Sequence, residues 1–199
     1  VGYFLGCSQT AYFVGRSCGL DIRQYGSGNA GTTNVLRTLG KSRALITFLG
    51  DALKGMIPVL IVKLVIGPAV PDLNSELLQL VLGFAVVLGH DFPFFLHFKG
   101  GKGIATSAAV MMGFDWRMGL CCLVIFVVVV AATRYVSLAS TLLSAALIAE
   151  ILIFYPGRWD LFVLIVLYAG FAIYRHRANI KRLLAGTESK LGQKVEVKK

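Results

Sequence analysis

Two glycine-rich stretches of the chain carry side chains that are suited to binding anions. The first, residues 25–34, reads YGSGNAGTTN, and Arg37 follows it. Glycine adopts positive φ and leaves backbone N–H groups unshielded, and such a backbone can form an anion-binding loop. The candidate ligand groups here are Gly26, Ser27, Gly28, Asn29, Gly31, Thr32, Asn34 and the guanidinium of Arg37. A plain connecting loop, for which Gly, Ser and Asn are the usual residues, is the alternative.

The second stretch, FKGGKG at residues 98–103, places two lysines around glycines just before a short apolar segment. A helix N-terminus with bare glycine amides and a lysine is a phosphate site, so we expect Lys99, Gly100, Gly101, Lys102 and Gly103 to contribute to one. The spacing differs from that of a Walker A loop. The alternative is that the lysines only anchor the chain at a cytoplasmic membrane surface.

Four further residues follow later apolar segments and complete the candidate set, namely Ser137, Ser140, His176 and Asn179. His176 has the chemistry of a general acid or base, or it is an interfacial histidine between two arginines. His90 and His97 lie seven residues apart, which is not a usual spacing for metal ligands. We therefore predict neither a metal nor a cofactor.

The composition indicates that lipid is the solvent for most of the chain. Of the 199 residues, 56% are hydrophobic and only 15% are charged, against about 25% in ordinary soluble domains. The net charge of +10 could indicate a nucleic-acid partner, but the basic residues are spread between apolar runs and form no single patch. We exclude nucleic acid and expect contact with a cytoplasmic membrane surface.

Seven apolar windows predict an all-α integral membrane protein with about seven transmembrane helices. They cover residues 1–15, 44–67, 77–96, 104–114, 117–133, 136–155 and 159–175. The fourth window is too short to span a bilayer, so we expect a half-length helix whose ends line a polar cavity. No linker divides the chain, which predicts one polytopic domain over residues 1–199 that ends in a polar tail at about 187–199.

The basic residues favour an N-terminus outside and a C-terminus in the cytoplasm. With this orientation, the inner connections hold most of the lysines and arginines, whereas the outer connections hold only Arg117 and Arg158. All the polar motifs then fall on the cytoplasmic face. Asp51 and Lys54, inside the second window, are spaced to pair with each other, and we interpret them first as a structural brace.

Together these motifs resemble the bacterial acyl-phosphate:glycerol-3-phosphate acyltransferases. The resemblance runs from about residue 2 to residue 188 through GSGNAGTTNVLRTLGK, DALKG, GHDFPFFLHFKGGKGIAT, RYVSLAS and YRHRANIKRLLAGTE, in that order. It implies a multi-pass enzyme of the bacterial inner membrane whose active site faces the cytoplasm. It also implies transfer of a fatty acyl group from acyl phosphate to the 1-hydroxyl of glycerol 3-phosphate, giving lysophosphatidic acid and phosphate.

The resemblance also implies roles for individual residues. Ser27, Gly28, Asn29, Gly31, Thr32 and Asn34 would hold the acyl-phosphate headgroup. Arg37, Lys102 and either Ser137 or Ser140 would bind glycerol 3-phosphate, with His176 and Asn179 nearby. The donor would come from a soluble acyltransferase that makes acyl phosphate. The chain departs from the family at Cys7, where the pattern has serine, and a thiol is a weaker hydrogen-bond donor.

Two other functions compete with acyl transfer at this point. A transporter or flippase of phosphorylated lipids could also use short helices and anion sites, although the sequence shows no inverted repeat. A lipid-phosphate phosphatase would need a base beside a nucleophile, and His176 has no evident partner in the sequence.

Overall fold

The computed structural model describes residues 1–193, and every regular element in this range is a helix. The helices are α1 (Gly2–Gly6), α2 (Thr10–Ser17), α3 (Thr32–Leu39), α4 (Lys41–Ile61), α5 (Gly67–Ala69), α6 (Ser75–Asp91), α7 (Ile104–Phe114), α8 (Trp116–Thr133), α9 (Val136–Phe154), α10 (Trp159–Arg175) and α11 (Arg177–Leu184). A π-helical stretch, Val62–Ile66, joins α4 to α5. The predicted all-α class is confirmed.

Several helices have the length and apolar composition of membrane spans. Four qualify by themselves, at Lys41–Ala69, Ser75–Leu96, Trp116–Thr133 and Val136–Phe154. A fifth is obtained if α10 and α11, which are bent by 57° at His176, count as one span. Their bounds lie close to the apolar windows, because apolar side chains facing lipid run the length of each span. The count of seven spans stays a prediction.

The first apolar window forms two short helices instead of one. The break falls at Ser8 and Gln9, where polar contacts with α4 and α6 replace helical hydrogen bonds. The side chain of Gln9 donates to the carbonyl of His90 at 2.7 Å, and the carbonyl of Ser8 accepts from Lys54 at 2.6 Å. Irregular backbone at membrane depth is tolerated where protein groups satisfy it, and the break here contacts the polar interior.

The short helix α7 lies at the centre of the bundle. It packs against α4, α6 and α8, and its Val110 and Met111 are completely buried in the main hydrophobic core. A Cβ at Gly55 of α4 would lie 2.7 Å from the carbonyl oxygen of Thr106, so the α4 and α7 backbones are in close contact at this glycine. As the fourth window predicted, α7 is a half-length helix embedded in the protein.

Polar contacts gather at the two opposite ends of the long helices. One end holds ion pairs between Asp115 and Arg117 at 2.6 Å and between Arg158 and Asp160 at 2.8 Å. The Lys63 ammonium donates to the carbonyl of Phe114 at 2.7 Å, which gives a hydrogen-bond partner to a carbonyl that the C-terminus of α7 leaves unpaired. The other end holds the predicted anion-binding motifs.

Candidate active site

The first glycine-rich stretch forms a turn that folds back on the start of α3. Gly26 and Gly28 have φ of +59° and +70°, as expected, whereas Gly31 is extended at −154°, a conformation open to any residue. The amide of Asn34 holds the turn closed. It accepts from the N–H of Ser27 at 2.9 Å and donates to the carbonyls of Ile22 and Tyr25 at 3.0 Å each.

This geometry corrects the role expected for Asn34. Both ends of its amide are engaged with the backbone, and the residue is buried, so it shapes the turn and has no free donor for a ligand. Gly26 has a related function, because a Cβ at that position would overlap the Asn34 side-chain oxygen. The turn is therefore built on a close contact between a glycine and an asparagine.

Two polar atoms after this turn are buried and have no hydrogen-bond partner within residues 1–193. They are the Thr32 hydroxyl, in the first turn of α3, and Nε of Arg37. Another nitrogen of the Arg37 guanidinium, Nη2, donates to the carbonyl of Ser189 at 3.0 Å. A helix N-terminus carries partial positive charge, so an anion bound beside Thr32 and Arg37 would provide both groups with a hydrogen-bond partner.

In the second glycine-rich stretch, two glycines serve packing and do not bind an anion. The N–H groups of Gly100 and Gly101 donate to the carbonyls of Asp91 and His90 at 3.1 Å each. A Cβ at either glycine would overlap His90. The expectation that these amides are bare is thus wrong, because the turn packs directly on the end of α6. Lys99 is exposed and does not line the cavity that holds the other candidate residues.

Lys102, in contrast, lines the cavity, and its ammonium donates to the side-chain oxygen of Asn179. Burial lowers the pKa of Lys102 to about 8, and the positive charges of Arg182, Arg175 and Arg37 act in the same direction, opposed by Glu188. Such a lysine is still mostly protonated at neutral pH. It is a cation in a site with several other cations, which favours an anionic ligand.

The carboxylate of Glu188 joins the segments around this lysine. It accepts from the Ser137 hydroxyl at 2.9 Å, from the Asn179 amide at 2.7 Å and from Nε of Arg182 at 2.7 Å. Burial by itself would raise the pKa of Glu188, but these three hydrogen bonds outweigh burial and lower it. Glu188 is not among the site residues predicted from the sequence. The available signal was its position at the end of the motif YRHRANIKRLLAGTE.

Ser140 and His176 complete the polar end of the cavity. The Ser140 hydroxyl donates to the carbonyl of Val136 at 2.8 Å and keeps its lone pairs free to accept. Nδ1 of His176 lies 2.8 Å from the carbonyl of Ala172, which fixes the orientation of the buried ring at the α10–α11 bend.

A buried charged cluster lies next to the predicted anion-binding residues. The Lys54 ammonium contacts the Asp51 carboxylate at 2.9 Å, as its spacing predicted, and Nδ1 of His90 at 2.8 Å. His90 also lies 3.6 Å from Asp51, and the Thr106 hydroxyl donates to the Asp51 backbone carbonyl at 3.0 Å. Because these contacts tie α4, α6 and α7 together, the cluster acts as a brace. Asp51 and His90 also reach the cavity wall.

One cavity of about 590 Å³ brings most of the predicted residues together. Those that line it are Ser27, Asn29, Gly31, Thr32, Asn34, Arg37, Lys102, Gly103, Ser137, Ser140, His176 and Asn179. Gly26, Gly28, Lys99, Gly100 and Gly101 lie outside the lining and shape the two turns or face solvent. Cys7, the departure from the family pattern, is buried and also lies outside it.

The remainder of the cavity is apolar and extends between the helices. Its walls are α4, α7 and α8, with side chains such as Phe48, Ala108, Met112 and Phe126. Phe48 and Leu123 are 44% and 50% exposed, so this part of the cavity opens toward the lipid-facing surface. The site thus has a cationic end and an apolar end, which suits an amphiphile with an anionic headgroup.

Comparison with known proteins gives one consistent result. A family model described as glycerol-3-phosphate acyltransferase matches residues 1–186. The glycerol-3-phosphate acyltransferase of Thermoanaerobacter sp. (strain X514) is 48% identical over all 199 residues, which cover 96% of that protein. That of Clostridioides difficile (strain 630) is 46% identical, with 98% of this chain and 95% of the relative covered.

Two solved structures share the fold. Both are crystal structures of PlsY, an integral membrane glycerol 3-phosphate acyltransferase, one in the glycerol 3-phosphate form and one in the lysophosphatidic acid form. They superpose with TM-scores of 0.86 and 0.83 at 34% identity, and each comparison covers 96% of this chain and 92% of the other.

We predict that Gly26→Ala opens the first turn. Gly19→Ala is the matched control, because Gly19 also has positive φ (+76°) but no atom within 4 Å of its Cβ position. The control should lose about 1–2 kcal/mol, the cost of left-handed backbone for alanine. Gly26→Ala should lose more, because it also displaces Asn34.

The measurement is thermal unfolding of both variants with and without inorganic phosphate. Phosphate should raise the midpoint of the wild type and the control but not of Gly26→Ala, since only a binding-competent native state gains stability from the ligand. Equal destabilisation and equal phosphate response in the two variants would show that the turn does not form an anion site.

Proposed function

Because the chain belongs to the glycerol-3-phosphate acyltransferase family, we propose that it uses acyl phosphate to acylate the 1-hydroxyl of glycerol 3-phosphate. The product is lysophosphatidic acid, and inorganic phosphate leaves. The observation that carries this proposal is the single cavity with a cationic end and an apolar end. One end suits two phosphate groups, and the other suits a fatty acyl chain.

The charges of the site support a reaction between two anionic substrates. Arg37 and Lys102 both line the cavity, and Arg175 and Arg182 are close enough to Lys102 to lower its pKa. Among residues 1–193, the only carboxylates in the lining are Asp51, paired with Lys54, and Glu188, paired with Arg182. Cations without a partner of opposite charge therefore remain for phosphate oxygens, and Arg37 can bind them as a fork.

Acyl phosphate is a mixed anhydride, so the reaction needs positioning more than a strong base. The substrate hydroxyl attacks the acyl carbonyl carbon, the ester C–O bond forms, and the bond from the carbonyl carbon to the phosphate oxygen breaks. The hydroxyl proton passes to the departing phosphate. The N-terminus of α3 stabilises the negative charge of that phosphate, and Lys102, which Asn179 orients, holds glycerol 3-phosphate in position for the attack.

Roles for the other lining residues follow from their positions. We assign Ser27, Asn29, Gly31 and Thr32 to the acyl-phosphate headgroup, because they surround the N-terminus of α3. Arg37, Lys102, Ser137 and Ser140 bind glycerol 3-phosphate, with His176 next to them.

The membrane arrangement we propose places this site at the cytoplasmic face of the bacterial inner membrane. Seven apolar segments cross or enter the bilayer, the N-terminus is outside, and the C-terminus is inside. The excess of lysine and arginine at the site end of the helices supports this orientation. A soluble acyltransferase would then deliver acyl phosphate from the cytoplasm.

The proposed reaction predicts a defined set of products. Purified protein incubated with palmitoyl phosphate and labelled glycerol 3-phosphate should form lysophosphatidic acid and phosphate in equal amounts, and acyl-CoA should not replace the donor. Free fatty acid without ester would indicate hydrolysis. No covalent change would leave transport of phosphorylated lipids as the function.

A second prediction concerns pH and rests on Lys102. Its pKa of about 8 lies below that of free lysine, so the cation is present below pH 8 and is lost as the pH rises through that value. The kcat/KM for glycerol 3-phosphate, which reports the free enzyme, should follow the protonated fraction of Lys102 and fall about thirtyfold from pH 7 to pH 9.5.

Lys102→Arg should remove this fall, because arginine stays protonated, whereas the exposed control Lys99→Arg should keep it. A wild-type profile that is flat to pH 9.5 would contradict the role of Lys102.

Topology is tested with single cysteines in a background that lacks the native thiols. Thr187 and Asp72 are both exposed, at opposite ends of the long helices. In intact cells, an impermeant thiol reagent should label Asp72→Cys, and Thr187→Cys should react only after the membrane is opened. Labelling of both from outside would contradict the orientation.

A further inference from the structure

The apolar part of the cavity has a defined far end. On α7, the residues Ala105, Ala108, Ala109 and Met112 line the cavity and are half-buried, while their neighbours Ser107, Val110 and Met111 are buried. The lining residues recur at the spacing of one helix face, so they form a strip that starts beside Lys102 and runs along α7. Ile104 lines the cavity at the start of α7, small alanines follow it along the strip, and the large side chain of Met112 is last.

Helix α8 closes the cavity at Met112. Gly119 of α8 also lines the cavity, and a Cβ at Gly119 would overlap Met112 Cα. The two backbones are therefore in direct contact at this point, with no space for a ligand between them. Helix α7 ends at Phe114, and neither Asp115 nor Trp116, which follow it, contributes to the lining.

A second methionine reaches the same place from α4. Met56 lines the cavity, and its backbone oxygen and Cγ lie 3.3 and 3.4 Å from the position of a Cβ on Gly113, the residue after Met112. Met56 and Met112 thus both lie at the far end of the cavity from Lys102. Their unbranched thioether side chains can adjust to a chain terminus.

We propose that Met112, together with Met56, forms the end wall that sets the acyl chain length this enzyme prefers. This inference rests on the proposed function, since it takes the apolar part of the cavity as the site of the donor's acyl chain. A chain that stops short of the wall leaves apolar surface unfilled. A chain that is too long must bend at the wall or leave through the lipid-facing opening beside Phe48 and Leu123.

The wall predicts how kcat/KM depends on chain length in the wild type. Each methylene that enters the cavity should raise kcat/KM by about fourfold, which corresponds to the 0.8 kcal/mol of one buried CH₂. Once the chain reaches Met112, further methylenes should add nothing. The profile for a series of saturated acyl phosphates should therefore rise and then break at one length.

Substitutions along α7 should move this break in a graded way. Met112→Ala removes three heavy atoms and should move the break to chains longer by about three methylenes. Ala109→Leu should move it toward the headgroup by about one helical turn, or 5 Å, and Ala105→Leu by about one turn more. Met112→Leu, which conserves volume, should leave the break where it is.

The control variant is Leu120→Ala on α8. Leu120 is 43% exposed and lies outside the cavity lining, so the break should not move. Size-exclusion profiles and unfolding midpoints identify any variant that fails to fold. Because Met112→Ala and Met112→Leu are substitutions without added volume, they keep the test valid if a leucine variant does not fold.

The outcomes separate this inference from the proposed function. A wild-type enzyme that uses acyl phosphates but shows no break, or a break that Met112→Ala and Ala109→Leu leave in place, would overturn the end wall and leave the proposed reaction intact. A wild-type enzyme that uses no acyl phosphate of any length would overturn both.

Discussion

The polar end of the site depends on one buried carboxylate, that of Glu188. Burying a charge costs several kcal/mol unless it is paired and hydrogen-bonded, and Glu188 meets this condition through Ser137, Asn179 and Arg182. Ser137 lies on α9, Asn179 and Arg182 lie on α11, and Glu188 itself is in the chain that follows α11. Asn179 in turn accepts a hydrogen bond from the Lys102 ammonium, so the Glu188 carboxylate also helps to position the second glycine-rich turn. Four separate segments are thus positioned through one anion.

The short helix α7 connects the charged end of the site to its apolar end. Its N-terminus follows Lys102, and its buried face packs in the main core. The opposite face, which carries alanines, is left as the floor of the cavity between α4 and α8. A full-length span with large side chains here would fill that space. The half-length helix therefore allows an anionic headgroup and an acyl chain to share one cavity inside a membrane bundle.

Glycines in this protein serve two different physical purposes, although their sequence contexts look alike. Gly26 and Gly28 supply positive φ for the turn before α3. Gly100 and Gly101 instead allow the second turn to lie directly against His90, with their N–H groups bonded to α6 carbonyls. A sequence shows that glycine is present, but only the packing shows whether its backbone is free for a ligand. The two turns are therefore less alike than FKGGKG and YGSGNAGTTN suggest.

Local patterns in the sequence predicted the membrane class, the bounds of the long helices and most of the polar residues that line the cavity. Hydrophobic windows and the spacing of Asp51 and Lys54 are local properties, and local patterns survive folding. Tertiary structure decided the rest. The break at Gln9 and the position of Glu188 depend on partners distant in sequence, since Gln9 is 81 residues from His90 and Glu188 is 51 residues from Ser137. The amide of Asn34 is engaged by backbone groups only because the turn folds back on α3. The end of the cavity at Met112 likewise exists only because α8 touches α7 there, a contact that no single helix encodes.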